Sequence, residues 1–327
     1  MAPIAVFLVR RLAQGAVILL LVTSIIFTVL RVIPGDPVRL MAGPTAAEDT
    51  VERMARELGL RDPIPVQYVR YIAGVLRGDL GTSFVRPRSG QTTGGGRADD
   101  PTRADRAEAL QLILDRMPLT GQLAGVALGL TLLLALPLGV ASGVYRGRWP
   151  DTLAFVICCI TVSLPNFWLG LALTLLLSIH LGWLPAVGYR GVAYTILPAI
   201  VLAIELAPIL IRAIGLALAG ALREGYAQLG PLRGLSRRRV LWAHAARNAA
   251  VPVLNMLGLQ VATLLGGVLI VEFLFDYPGL GHLTITAVFQ RDFPLIQAIT
   301  LITGATLVLV NILVDLAASL IDPRLGY

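Results

Sequence analysis

The chain has 327 residues, 56% hydrophobic and only 14% charged, with a mean hydropathy of +0.77. A soluble domain carries charge on about a quarter of its residues, so neither a water-soluble globule nor a disordered chain fits. All 27 basic residues are arginine, against 20 acids; with no lysine there is no Gly-Lys-Ser/Thr of a Walker A phosphate loop and no Schiff-base nucleophile.

Long uncharged runs are the main signal, because about 20 apolar residues cross a bilayer as a helix. The first, Leu12 to Leu30, is 19 residues long and follows Arg10 and Arg11. It exceeds the apolar core of a secretory signal, and Arg31-Val32-Ile33-Pro34 offers no small-x-small cleavage site, so it reads as a retained span.

Residues 34–118 are too many for a passive connector. Thr45-Ala46-Ala47-Glu48 has capping-box spacing; Val51, Met54, Ala55 and Leu58 then recur at helical spacing until Gly59. Pro65 opens a second amphipathic helix through Val66, Val69, Ile72 and Leu76, closed by Gly78, and a third stripe of Ala107, Leu110, Leu114 and Met117 leads into the next span. Between them, residues 86–103, with Gly94-Gly95-Gly96, read as a flexible insert.

Four more clean runs follow: 29 uncharged residues between Arg116 and Arg146, 28 between Asp151 and His180, 24 from Asn248 to Val271 and 22 from Phe293 to Val314. A further stretch from Ile196 to Ala219, interrupted by Glu205 and Arg212, makes six spans. Gly121, Gly125 and Gly129, then Gly139, Gly143 and Gly147, repeat every four residues and let helix backbones approach. Pro137 and Pro165 are expected to kink their spans. Charge inside a membrane costs roughly 2.5–3.5 kcal/mol at mid-span. Glu205 and Arg212, seven residues apart, share one helix face. They line a polar path, meet another subunit, or pair with a neighbouring span; Asp315 reads as structural. Adjacent Cys158 and Cys159 read as small buried apolar residues, and His180, His244 and His282 are too scattered for a metal site.

Arginine placement sets the orientation. With the N-terminus inside, the cytoplasmic segments 1–11, 146–151, 220–247 and 322–327 hold 11 Arg against three acids, whereas 34–118 hold 12 of each. Both termini are therefore expected in the cytoplasm, and the basic charge is a topology signal that requires no nucleic-acid partner.

The densest basic cluster lies between spans four and five, in Leu222 to His244, which includes Ser236-Arg237-Arg238-Arg239. This segment resembles the coupling loop of binding-protein-dependent ABC importer permeases of the dipeptide/oligopeptide branch. That loop's degenerate Glu-Ala-Ala-x-x-x-Gly motif, basic stretch and Arg-Asn-x-x-x-Pro have counterparts in Gln228-Leu229-Gly230, Gly234, residues 236–239, and Arg247-Asn248 with Pro252. Ile33-Pro34-Gly35-Asp36-Pro37, Gly78 to Ser83, Ser163 to Phe167, Leu181 to Pro185, Val271-Glu272, Tyr277 to Gly281, Arg291 to Pro294 and Asp322-Pro323-Arg324 are similar to the same branch, in order along nearly the whole chain. Three features depart from it: Pro231 stands where the family has a helix-compatible residue, Gln228 replaces the motif's acid, and the insert at 86–103 is longer. Proline costs about 3 kcal/mol inside a helix, so the coupling helix is expected to break at Pro231 or start after it.

The resemblance implies an all-α polytopic membrane protein of the type I ABC importer permease fold, with six helices and both ends inside. Its parts would be an N-terminus and first helix (1–33), a partly helical extracytoplasmic loop (34–118), a permease core with a coupling segment (119–321 and 223–247), and a cytoplasmic tail (322–327). It implies coupling to ATPases through Glu224, Gln228, Gly230, Gly234, Leu235, Ser236, Arg237, Arg238 and Arg239. Glu205, Arg212 and Asn166 are the candidates for the translocation path or an inter-subunit contact. Glu272, Asp276, Pro278, Gly279, Arg291 and Asp292 are those for an extracytoplasmic gate or binding-protein contact. The implied partners are a second homologous permease, two ATPase subunits, which would hold the ATP and Mg that this chain has no cofactor site for, and an extracytoplasmic binding lipoprotein or periplasmic protein. The place would be a bacterial plasma membrane. The branch carries di- and oligopeptides, and relatives carry nickel chelates, glutathione or other small solutes.

Two other classes compete. An ion-coupled secondary transporter or channel needs a buried ionisable group such as Glu205, and a membrane enzyme has only His180, Asp276 and His282 near the outer surface to work with.

Overall fold

A computed structural model describes residues 2–32, 38–39, 46–87 and 106–321. Its helices are α1 (Ala2–Val32), α2 (Glu48–Glu57), α3 (Ile64–Leu76), α4 (Ala109–Val144), α5 (Trp149–Val162) and α6 (Asn166–Leu173). The π-helical turn Thr174–His180 extends α6. After it come α7 (Ala193–Arg223), α8 (Gly225–Leu229), α9 (Arg237–Leu274), α10 (Leu280–Phe289) and α11 (Phe293–Ile321). Five of these, α1, α4, α7, α9 and α11, are long and apolar enough to cross a membrane.

The third span expected along the chain is not one rod. Helices α5 and α6 are bent 98° to each other at Ser163-Leu164-Pro165. The ring of Pro165 excludes Leu164 from helical backbone, and Pro165 itself becomes the N-cap of α6. Pro137, by contrast, leaves α4 unbroken.

The chain groups into two compact units. The first comprises residues 1–7, 119–281 and 307–327. Its centre is α7, which contributes Leu197, Leu202 and Leu206 to a cluster with Leu123, Leu264, Val268 and Val271, and Leu210, Ile211 and Ile214 to a second with Ala135, Ala154 and Cys158. Cys158 is buried as expected, whereas Cys159 is exposed. Glycines let α4 and α7 touch: a Cβ on Gly139 would lie 2.7 Å from the Ile214 Cβ, and one on Gly143 would lie 2.9 Å from the Leu218 Cβ. Gly121, Gly125, Gly129 and Gly147 have nothing within 4 Å, so among the described residues only Gly139 and Gly143 of the repeat pack closely.

The second unit comprises residues 8–118 and 282–306. Helix α2 buries Val51, Met54 and Ala55, as its spacing predicts. Its N-cap is Ala47, with no side-chain cap, so the expected capping box does not start the helix; Thr45 lies outside the described residues. Helix α3 opens at Pro65 and stops before Gly78, but its apolar stripe is not the buried face: Val66, Val69 and Leu76 are exposed, and Gln67 is buried. Tyr71 stacks on Phe27 of α1 at 5.7 Å, and Tyr68 meets the same ring edge-on. The stripe expected before α4 also shifts, since Ala109 and Ile113 are buried while Leu114 and Met117 are exposed. Ala107 lies in a strand. That strand, β2 (Arg106–Glu108), pairs antiparallel with β1 (Thr82–Pro87), and the pair brackets the expected insert, of which residues 88–105 lie outside the described ones. Among the described residues the only strands are this short pair, and the regular structure is otherwise helical.

Candidate functional site

Three groups of side chains carry the functional expectations. The first is the segment after α7, which leaves helical backbone at Glu224. The short helix α8 follows, and Gln228 reaches back to donate to the Arg223 carbonyl at 3.0 Å, closing the end of α7 where the family's acid would stand. Pro231 occupies the first turn of a 3-10 segment, Pro231–Arg233, a position that needs no N–H. The proline therefore ends α8 without distorting it. Gly234 follows at φ +79°, a left-handed conformation that glycine alone adopts freely. Ser236 then caps α9 through the Arg239 N–H at 3.3 Å. Gly230 is the buried pivot: a Cβ there would lie 2.8 Å from the Val240 Cγ2. The residues expected to couple thus divide in two. Gly230 and Gly234 shape the turn, whereas Glu224, Gln228, Ser236, Arg237, Arg238 and Arg239 are exposed, with Leu235 half-buried. Leu232 and Trp242 stand out at 82% and 57% exposure. None of Arg233, Arg237, Arg238 and Arg239 makes an ion pair among the described residues. A π-helical turn, Val240–Ala245, joins this cluster to the rest of α9.

The second group lies within the apolar helices. Arg212 Nη1 is 3.7 Å from Asp151 Oδ1, and its guanidinium lies 5.2 Å above the Phe155 ring. Asp151 also accepts from Ser142 Oγ at 2.7 Å, Gly147 N–H at 3.0 Å and Arg146 at 3.3 Å. Pairing with a neighbouring helix, one of the readings open for Arg212, is thus present in this structure. Glu205 differs. It is half-buried on α7, its carboxylate lies against Gly267 of α9, and among the described residues it has no ion pair or side-chain hydrogen bond. Asn166, half-buried, opens α6 just past the 98° bend.

The third group comprises two turns at helix ends. Glu272, fully buried, accepts from Thr120 Oγ1 at 2.7 Å and Gly281 N–H at 2.6 Å, while Thr120 Oγ1 accepts from Leu280 N–H at 2.7 Å. Gly279 is required because a Cβ there would fall within the Glu272 carboxylate. Tyr277, also fully buried, donates to the Leu119 carbonyl at 3.2 Å and shares a hydrogen bond with Thr195. Asp292 plays the same part in the other unit: its carboxylate accepts from Ser83 Oγ and, at 2.9 Å, from Phe84 N–H. Glu272 and Asp292 are thus buried fasteners in this structure. Asp276 and Arg291, one at each turn, stand at φ 49° and 52°, a conformation uncommon for non-glycine residues outside functional or tightly determined turns. Asp276 is exposed, and Pro278 and Arg291 are half-buried. Thr120, Ser83 and Asp151 were not singled out by sequence. Their roles rest on partners 152, 209 and 61 residues away, for which a single sequence carries no signal. Among the described residues no group of three or more metal-ligating side chains converges.

Apolar helices of spanning length, with a folded basic turn on one connection, define a multi-pass membrane protein. Residues 135–327 match the binding-protein-dependent transport system inner membrane component, and residues 4–124 match the N-terminal component of such systems. The chain belongs to this family of ABC importer permeases, in the dipeptide/oligopeptide branch, and is an inner-membrane protein. It is 35% identical over 321 residues to the glutathione transport system permease protein GsiC of Salmonella typhimurium, covering 98% of this chain and 99% of the relative. It is 33% identical, with the same coverage, to GsiC of Escherichia coli strain K12. The solved structure of the MetNI methionine ABC transporter in inward-facing conformations aligns with a TM-score of 0.56 at 16% identity over 65% of this chain and 97% of that one, a likeness of fold.

Proposed function

We propose that this chain is one of two permease subunits of an importer for small peptides, with glutathione, itself a tripeptide, as the first substrate to test. An extracytoplasmic binding protein delivers the peptide, a second homologous permease completes the path, and two ATPase subunits hold ATP and Mg. The observation that carries the coupling role is the exposed turn 224–239. Its guanidiniums at 233, 237, 238 and 239 have no ion-pair partner among the described residues, it presents Leu232 as an apolar tip, and it joins two spanning helices. Such a turn is suited to seat in an acidic, apolar groove and to pass rigid-body motion to α7 and α9. Glutathione is supported by the relatives at 33–35% identity, which are glutathione transport system permeases.

The test is the reconstituted complex, with its binding protein, taking up labelled glutathione or dipeptide. Replacing Arg237, Arg238 and Arg239 by alanine is expected to leave the complex assembled while uptake falls at least tenfold per ATP hydrolysed. Unchanged coupling rejects the role of the turn. Uptake of neither peptide by a complex that hydrolyses ATP rejects the substrate class.

The unpartnered Glu205 carboxylate favours a second reading, an ion-coupled transporter. That reading requires uptake driven by an ion gradient without ATP, abolished by Glu205→Gln.

A further inference from the structure

Unpaired buried polar atoms are rare in folded proteins, because each costs about 1–3 kcal/mol. In the second unit four of them sit around one cavity of about 250 Å3, framed by the end of α1, by α3, by the turn before β1 and by the start of α11. They are Arg31 Nε, Gln67 Oε1, Tyr71 Oη and Gln297 Nε2, and among the described residues none has a hydrogen-bond partner. The orientation of Gln67 is fixed, because its Nε2 donates to the carbonyls of Leu60 and Asp62 at 3.1 and 2.7 Å. Its oxygen is therefore an acceptor left over. The other three are donors. Burial raises the Tyr71 pKa to about 12, so that hydroxyl keeps its proton at any physiological pH. Tyr71, Phe27 and Arg31 form one stack, with the guanidinium 5.1 Å from the Phe27 ring, so two of the donors are held in place. Arg70 and Asp79 also line the cavity. It is far larger than the ~10–15 Å3 that one water needs.

Three donors including a cation, set beside an unused amide oxygen and a carboxylate, match a ligand with an oxyanion at one end and an N–H-bearing cation at the other. Arg31 is the second-last residue of α1, and Gln297 lies in the second turn of α11. The cavity therefore sits at the extracytoplasmic end of the spanning helices. Ile25, Val29 and Val32 are exposed along α1. We propose that this cavity binds a zwitterion, its oxyanion held by Arg31, Tyr71 and Gln297 and its ammonium by Gln67 and Asp79. The same chemistry is offered by a phosphatidylethanolamine headgroup, whose chains would run along the apolar face of α1, and by a free amino acid.

The test is native mass spectrometry of the full chain in detergent, titrated separately with phosphatidylethanolamine, phosphatidylcholine and phosphatidylglycerol, and with free glycine as competitor. The expected result is selective retention of phosphatidylethanolamine, since the choline cation has no N–H for Gln67 and the glycerol headgroup has no cation. Tyr71→Phe and Gln297→Leu should each weaken retention about tenfold, the size of one hydrogen bond to a charged group. Tyr71→Phe should leave the thermal stability of the unliganded chain unchanged, because its ring still stacks on Phe27. Displacement by glycine with no preference among the lipids assigns the site to a soluble zwitterion and supports the proposal. Equal retention of all three lipids without glycine competition, or both variants binding as the wild type does, overturns it and leaves water as the occupant.

Discussion

Glu272 and Asp292 do similar work at opposite ends of α10. Each is a carboxylate removed from water, each takes hydrogen bonds on both oxygens, and each fastens a turn that contains a left-handed non-glycine residue, Asp276 or Arg291. A buried acceptor of this kind is worth most through what its loss leaves behind. Glu272→Ala strands the Gly281 N–H and the Thr120 hydroxyl, at about 1–3 kcal/mol each. It is expected to lower the unfolding temperature of the purified chain well below that of Glu272→Gln, which keeps one acceptor oxygen. Gly279→Ala reaches the same network from the other side by pushing into the carboxylate, and its unfolding temperature should fall with that of Glu272→Ala. If instead both proteins melt with the wild type and lose only substrate delivery, these residues meet a partner and are not fasteners.

At the scale of elements, punctuation was readable and facing was not. Pro65, Gly59, Gly78, Pro165, Pro231 and Gly234 each stand where a helix starts, stops or turns, because these residues constrain φ locally, whatever surrounds them. Which side of α3 is buried could not be read in this way. Its apolar stripe faces outward while Gln67 is buried and two tyrosines face Phe27, since in a membrane protein an apolar face has lipid and partner chains available to it as well as a core. The glycine repeat of α4 makes the same point within one helix. Gly139→Ala forces a Cβ against Ile214 and is expected to cost about 1–3 kcal/mol, read as loss of thermal stability in detergent. Gly125→Ala, with nothing within 4 Å, should leave that stability unchanged. Because Gly→Ala raises helix propensity at both positions, equal losses at the two would mean that something other than α4–α7 packing sets the effect.

For the whole molecule, charge decides direction. The arginine count predicts that the coupling turn lies in the cytoplasm and the 86–103 insert outside. In a chain with Cys158 and Cys159 replaced by serine, Leu232→Cys is expected to react with an impermeant maleimide only in inside-out vesicles, and Thr92→Cys only in intact cells. Labelling of both positions from the same side would invert the topology and remove the coupling turn from any cytoplasmic ATPase. Family membership, fold class and membrane location were legible before the structure because they rest on properties that add along the chain: long apolar runs, charge balance and an ordered set of short motifs.

The sequence by itself therefore determined that this is a multi-pass permease that lacks the lysine of a Walker A loop, and where most of its helices begin and end, since hydropathy and the φ limits of proline and glycine are local quantities. Only the tertiary structure decided that the third span is broken by 98° and that Arg212 is matched to Asp151 while Glu205 has no partner among the described residues. It also decided that Glu272 and Asp292 are fasteners, and that four unpaired polar atoms share one cavity. Each of these depends on which residues distant in sequence become neighbours, and the energy of a buried charge or hydrogen bond is set by that neighbour.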